Sequence, residues 1–282
     1  MKYCSVKCQK EHRPKHKKEC KKRAAELKDE ILFKQPESSH YGDCPICCVP
    51  LPIDMRESGL HPCCCKRICL GCSNENEKRE LEGRLQHTCP FCRMALPKSE
   101  EEANELLMKR VEANDPVATC HMGKEKYDEG DFKSAFDYYS RAAAFGDEEA
   151  HYRLSVLYRE GKGVENDEKK ELYHLTEAAI GGHPSARHNL ACFEGRNGRN
   201  DRAVKHYTIA ANLGCHDSLN ALKNGYNAGY VNKDGFTEAL RGYQAAIEAM
   251  KSPQREAAAE FARWVVERRK RRGSNYLPSS SL

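Results

Sequence analysis

Apolar residues recur at helical spacing through the second half of the chain, from Asp115 to about residue 250. A small residue is followed four positions later by a large apolar one, in the pairs Ala118/Met122, Ala150/Leu154, Ala186/Leu190 and Ser218/Leu222. Two residues four positions apart lie on one face of a helix. The pairs start 32, 36 and 32 residues apart, which is typical of a helical repeat. The pattern therefore predicts helix-turn-helix repeats over residues 115–250.

Adjacent alanines mark the second helix of each predicted unit: Ala142-Ala143, Ala178-Ala179, Ala210-Ala211 and Ala245-Ala246. A glycine follows in the first three units, at Gly146, Gly182 and Gly214. Alanine lets two helices approach closely, and glycine favours the left-handed conformation that ends a helix. One helix pair cannot bury its apolar face alone, so the units are predicted to stack as an α-solenoid.

The segment YREGKGVENDEKKELYHLTEAAIGGHPSARHNLA resembles the Sel1-like repeat, a relative of the tetratricopeptide repeat. The other units depart from its Gly-x-Gly-Val turn but keep the helix pair. The resemblance implies a concave surface that binds a protein substrate or partner. The histidines of the array fall at different repeat positions, which argues against a metal site there.

The apolar stripe continues into residues 253–272. Ala257, Ala258, Phe261, Trp264 and Val265 lie on one side of a helix. We expect this helix to cap the last repeat and to end in the basic run 268–272. Residues 273–282 are predicted to form a disordered tail.

The first half of the chain is instead rich in cysteine. Three C-x2-C pairs are present: Cys44/Cys47, Cys69/Cys72 and Cys89/Cys92. A fourth pair must come from the triplet Cys63, Cys64 and Cys65. A C-C-x-K-x-I-C pattern selects Cys63 and Cys64, which we favour, whereas C-x-C spacing selects Cys63 and Cys65. Eight thiolates are enough for two tetrahedral zinc ions, which would replace the core that so short a segment lacks.

The CPIC and CPFCR sequences at the two ends of this segment resemble the RING finger over residues 44–93. The resemblance implies a ββα-like module with interleaved zinc sites. Cys44, Cys47, Cys69 and Cys72 would hold one ion, and two cysteines of the triplet would hold the other with Cys89 and Cys92.

The same resemblance implies a ubiquitin ligase, whose RING docks a ubiquitin-conjugating enzyme while the repeats hold the substrate. Ile46 and Pro90 stand where the docking groove is expected. Arg93 stands where a cation bridges the conjugating enzyme and ubiquitin. The alternative is a non-catalytic protein-interaction scaffold with a structural zinc finger. A zinc hydrolase does not fit, because a full set of thiolates leaves no open coordination position.

Residues 1–23 resemble the second half of a MYND zinc finger. The matching residues are Cys4, Cys8, His16 and Cys20. The upstream half of that motif is absent, which leaves two alternatives. The segment is a remnant that binds no metal, or these four residues hold a third zinc ion.

Composition narrows the remaining choices. The 282 residues include 16 cysteines and carry a net charge of +5, with basic ends and an acidic body. This distribution makes nucleic acid an improbable partner. The sequence contains no run of about 18 apolar residues, so it predicts no membrane span. It also shows no secretory signal. Because many cysteines occur without such a signal, we expect a reducing compartment, cytoplasmic or nuclear.

The patterns together predict a mainly α protein. We expect a linker over residues 34–43 and a short helix from Glu75 to Leu85.

Overall fold

The computed structural model describes residues 21–271, with side chains through residue 268. The chain divides into two compact units, Met1–Gln35 and Pro36–Leu282. In the first unit, helix α1 covers residues 21–32. The predicted ligands Cys4, Cys8, His16 and Cys20 lie outside the described residues, as does the tail 273–282.

The second unit begins with a cysteine module, residues 43–96. Isolated bridges Asp43↔Pro50 and Thr88↔Ala95 lie at its two ends. Between them come a 3₁₀ turn, Met55–Glu57, then the antiparallel strands β1 (Ser58–His61) and β2 (Lys66–Cys69), then helix α2 (Leu70–Glu82). The helix was predicted to run from Glu75 to Leu85, and it begins and ends earlier. It starts directly after Cys69, whose extended backbone ends the strand.

Helices make up the rest of the second unit. Helix α3 (Glu100–Glu112) leads into four antiparallel pairs: α4 (Pro116–Asp128) with α5 (Phe132–Ala144), α6 (Glu148–Glu160) with α7 (Glu168–Ile180), α8 (Pro184–Arg196) with α9 (Asn200–Asn212), and α10 (His216–Asn227) with α11 (Lys233–Ala249). Consecutive helices pack against one another, as a solenoid requires. None of the described helices combines the length and apolar character needed to cross a lipid bilayer.

Short polar residues and glycines begin and end these helices. Asp115, Asp131 and Asp147 each accept a hydrogen bond from a backbone N–H of the following first turn, which satisfies an otherwise unpaired donor. Gly163, in the turn between α6 and α7, has a φ of +71°. A Cβ there would overlap the backbone carbonyl of Phe132, so glycine is needed for both conformation and space.

The C-terminal helix α12 (Pro253–Arg271) does not have the role predicted for it. It packs against α2 of the cysteine module rather than capping the last repeat. Ala258 is buried, but Phe261 and Trp264 further along the same stripe are 58% and 51% exposed. The stripe indicated an amphipathic helix, but its partner is distant in sequence.

Residues 36–43 of the predicted linker 34–43 are also packed. The backbone N–H of His40 donates to the carbonyl of Gly182 at 3.2 Å. A Cβ on Gly182 would lie 2.7 Å from the carbonyl oxygen of Ser38. The His40 side chain is only 4% exposed. Residues 36–43 therefore lie against the repeats, where the absence of a side chain at Gly182 leaves room for them.

Candidate metal centre

Two groups of four cysteines lie in the cysteine module: Cys44, Cys47, Cys69 and Cys72, and Cys63, Cys64, Cys89 and Cys92. In each group the sulfur atoms all lie within 4.8 Å of one another, and none forms a disulfide. With Zn–S bonds of about 2.3 Å, sulfurs at the corners of a tetrahedron are about 3.8 Å apart. The Cys47–Cys69 and Cys64–Cys89 sulfur pairs are each 3.9 Å apart, and the Cys63–Cys92 pair is 3.3 Å apart. Both donor sets therefore fit zinc in chemistry and in size.

Tight turns and the β-hairpin bring these sulfurs together. In the first C-x2-C turn, the N–H of Cys48 donates to the carbonyl of Cys44 at 2.9 Å. In the last, the N–H of Arg93 donates to Cys89 in the same way, also at 2.9 Å. The hairpin places Cys63 and Cys64 between its strands and Cys69 at the end of β2. The two groups are interleaved along the chain, as the resemblance implies.

The cysteine triplet splits between two environments. Cys63 and Cys64 join Cys89 and Cys92. Cys65 has a φ of +52°, and its buried side chain packs with Leu107 and Met122 in a core cluster of the second unit. Burial raises the pKa of the Cys65 thiol to about 11. This geometry favours Cys63 and Cys64 over the C-x-C alternative, although the assignment of zinc ligands stays a prediction.

Glu80 stabilises the module in a way that sequence reasoning missed. Its carboxylate accepts hydrogen bonds from the Thr88 hydroxyl at 2.6 Å and from the Thr88 N–H at 3.2 Å. Glu80 is 2% exposed, and Thr88 directly precedes Cys89. These two hydrogen bonds therefore connect α2 to the last cysteine turn. A glutamate in a highly charged helix gives no sequence signal for such a role.

The three predicted docking residues have different environments. Ile46 is 42% exposed between Cys44 and Cys47. Arg93 is exposed, and its guanidinium donates to the side-chain oxygen of Asn76 on α2 at 2.8 Å. Pro90 is buried and offers little surface. The neighbouring Phe91, which the sequence did not single out, is 44% exposed.

A third cluster joins the segment 36–43 to the repeats: His40, Glu149 and His183. Glu149 Oε2 lies 3.1 Å from His183 Nε2 and 3.4 Å from His40 Nε2, while Glu149 Oε1 accepts from Arg153 at 2.6 Å. His183 Nδ1 accepts the N–H of Ala186 at 3.2 Å. The neutral ring therefore carries its proton on Nε2 and donates it to Glu149. That nitrogen has no lone pair for a metal, so the contacts describe a hydrogen-bonded cluster.

Imidazole and phenol rings meet between the two helices of three successive pairs: His151 with His174, His188 with Tyr207, and His216 with Tyr243. His216 is exposed, and the other five residues are half-buried. In the first pair the Nδ1 atoms lie 3.0 Å apart. In the last, the Tyr243 hydroxyl lies 3.3 Å from His216 Nδ1. Each pair joins the two helices of one unit. We call these six residues the aromatic row.

Residues 119–147, 148–183 and 184–215 match the family model of the Sel1 repeat. These three segments are Sel1 repeats. They cover the pairs α4–α5, α6–α7 and α8–α9, and the pair α10–α11 extends the same packing beyond them. The cysteine module is not among the matched residues.

We call these three repeats, together with the unmatched pair α10–α11, the Sel1 array. Two solved structures are similar to this chain. A Sel1 repeat protein from Oxalobacter formigenes is 26% identical over 55% of this chain and 66% of its own, with a TM-score of 0.48. The protein c5321, a protective antigen of uropathogenic Escherichia coli strains with an SLR fold, is 20% identical over 66% of this chain and 39% of its own, with a TM-score of 0.42. The chain thus spans less than two thirds of either protein. No curated protein matches it significantly.

Proposed function

We propose that this protein is a protein-interaction scaffold. Its Sel1 array binds a partner protein, and its cysteine module is a structural unit held by two zinc ions. The observation that supports the proposal best is the aromatic row, to which each of three successive units contributes one pair of rings. Tyrosine and other aromatic residues are enriched in protein interfaces, because they combine a large contact area with a polar group.

Exposed aromatic residues lie on or next to the helices that carry the row. Tyr173 is 56% exposed, and its ring centre lies 6.3 Å from that of His151. Further along the array, Tyr226 and Tyr230 are 41% and 66% exposed. These side chains offer apolar area that stacking of the repeats does not use. A partner that binds the array at these residues would bury them.

The proposed zinc ions have a structural role. Each cysteine group supplies four thiolates, which fill the coordination shell and leave no position for water or substrate. When bound, zinc closes the turns that carry these cysteines. The residues then act by holding β1, β2 and α2 together around the ions.

Photo-crosslinking from the array tests the scaffold proposal. A photoreactive phenylalanine analogue is placed at Tyr173 and, as a control, at the exposed Lys78 of the cysteine module. We expect a discrete adduct with one cellular protein from position 173 and none from position 78. The proposal fails if the adducts from the two positions are the same, or if position 173 gives none.

A second candidate function is that of a ubiquitin ligase. It is favoured by one feature of the cysteine module, the exposure of Ile46 and Arg93 on turns that each carry a C-x2-C pair. Asn76 holds the Arg93 guanidinium through the bond described above. In this candidate, Ile46 contacts the conjugating enzyme and Arg93 donates hydrogen bonds to the enzyme and to ubiquitin.

Autoubiquitination with a panel of conjugating enzymes separates the two candidates. If the protein is a ligase, Ile46→Ala abolishes chain formation while zinc content and helicity stay unchanged. Met55→Ala is the matched control, because Met55 is 41% exposed in the same module. If the protein is only a scaffold, the zinc-loaded wild type forms no chains with any enzyme of the panel.

A further inference from the structure

One arginine of the C-terminal helix contacts the first cysteine turn. Nη1 of Arg255 donates to the carbonyl of Pro50 at 2.6 Å and to that of Met250 at 2.7 Å. Its Nη2 donates to the carbonyl of Val49 at 2.9 Å and lies 3.5 Å from Cys47 Sγ. A single guanidinium therefore binds the loop that carries a predicted zinc ligand, across 208 positions of sequence.

The helix that carries Arg255 lies directly on the start of α2. A Cβ added to Gly71 would be 2.7 Å from the backbone nitrogen of Arg255 and 2.8 Å from the carbonyl carbon of Gln254. Gly71 directly precedes Cys72, another predicted ligand. The close approach means that α12 contacts both C-x2-C turns of the first cysteine group.

The charge of a zinc–thiolate group explains what such a contact does. Four thiolates and one Zn²⁺ carry a net charge of −2, so a nearby cation and N–H donors stabilise the metal-bound form. Groups in this outer position orient the ligands, and their removal typically weakens metal binding about 10- to 100-fold. The second cysteine group has no contact of this kind with α12 among the described residues.

We propose that Arg255 is an outer-shell residue of the zinc site formed by Cys44, Cys47, Cys69 and Cys72, and that α12 is part of that metal-binding unit. The inference rests on the zinc ions of the proposed function. The C-terminal helix thereby completes a module that lies near the other end of the chain. Retention of the first zinc ion depends on α12, and retention of the second does not.

Chelator challenge of the zinc-loaded full-length protein tests the proposal. EDTA is added with iodoacetamide, and mass spectrometry follows the alkylation of each cysteine. In Arg255→Gln we expect Cys44, Cys47, Cys69 and Cys72 to be alkylated about 10- to 100-fold faster than in the wild type. The cysteines of the second group keep their wild-type rates. Arg263→Gln, an exposed position on the same helix, is the control and changes neither group.

A second variant disturbs the surface of α2 against which α12 packs and keeps the guanidinium of Arg255. Gly71→Ala adds a methyl group where α12 approaches, and alanine favours the helical conformation of α2. Gly59→Ala is its control, because a Cβ there meets nothing within 4 Å. We expect Gly71→Ala to accelerate alkylation of the first group as Arg255→Gln does, with far-UV circular dichroism showing that the array stays folded.

Metal content distinguishes failure of this proposal from failure of the zinc sites themselves. A wild type that binds two zinc ions, with unchanged alkylation in both Arg255→Gln and Gly71→Ala, overturns the role of α12 and leaves the zinc sites in place. A wild type that binds no zinc overturns the zinc sites and this inference together. Equal acceleration of both cysteine groups also contradicts the proposal, because it shows general loosening of the module.

Discussion

The cysteine module and the Sel1 array are stabilised by different means. In the main cluster of the module, Leu51 and Ile68 are the buried aliphatic residues, and the other buried members are cysteines. The array buries alanine, leucine and tyrosine, with Leu154, Leu157 and Tyr139 almost fully enclosed. The module thus has little apolar area to bury, whereas the array has an apolar core between each helix and the next.

This difference shows how one chain combines two sources of stability. The contacts in the array are between neighbouring helices, so each unit depends on the next. The contacts in the module are between short turns that hold sulfur atoms, so we expect the module to depend on the zinc ions proposed for them. The two regions should therefore lose structure under different treatments.

Metal removal should have the largest effect, and it should be confined to the module. Structural zinc contributes about 10–16 kcal/mol per site in small peptides. We expect EDTA, or Cys69→Ser, to abolish hydrogen-exchange protection across residues 43–96 and to leave the array protected. Cys192→Ser is the matched control, because Cys192 lies in the array, outside the predicted ligand groups. Equal loss of protection in the array would show that the two regions are not independent.

Truncation of a buried leucine should destabilise the array and leave the cysteine module unchanged. Leu154 is 1% exposed in the first core cluster of the array. We expect Leu154→Ala to lower the free energy of unfolding of the array by about 2–5 kcal/mol, measured by urea titration of the helical circular dichroism signal. Zinc content should stay at its wild-type value. The exposed Leu81 of α2 provides the control, since Leu81→Ala should cost less than about 0.5 kcal/mol.

Acid should destabilise the contact between residues 36–43 and the array. Burial and the nearby His183 lower the pKa of His40 to about 4 from 6.5. The folded state therefore favours the neutral ring, so the contribution is complete above pH 6.5 and is lost as the pH falls toward 4. The shift corresponds to about 3 kcal/mol.

A comparison of the wild type with His40→Gln isolates this effect. The variant should lose less stability between pH 7 and pH 4.5, as measured by urea titration. Loss of zinc in acid is common to both proteins and cancels in the difference. Identical pH dependence in the two proteins would contradict the titration of His40.

The repeat pattern could be predicted from the sequence because it depends on contacts that are local and recur. Ala150 and Leu154 lie on one helical face wherever that helix packs, and both are buried. The cysteine spacing similarly predicted which residues pair within each C-x2-C turn, because such a turn places its two sulfurs close together. The grouping of those pairs followed from the resemblance to the RING finger. In both regions the interactions that the spacing predicted lie within a few residues or repeat along the chain.

Tertiary structure alone decided which distant segments meet. The stripe containing Ala258 predicted a helix, but not that it would lie on Gly71. Nothing near Arg255 in sequence indicates that its guanidinium binds the carbonyls of Val49 and Pro50. A pattern of apolar and polar residues specifies which face of an element is buried. Which element covers that face depends on the shape of the folded chain and on where its backbone carbonyl groups point, and both are set only when the chain folds.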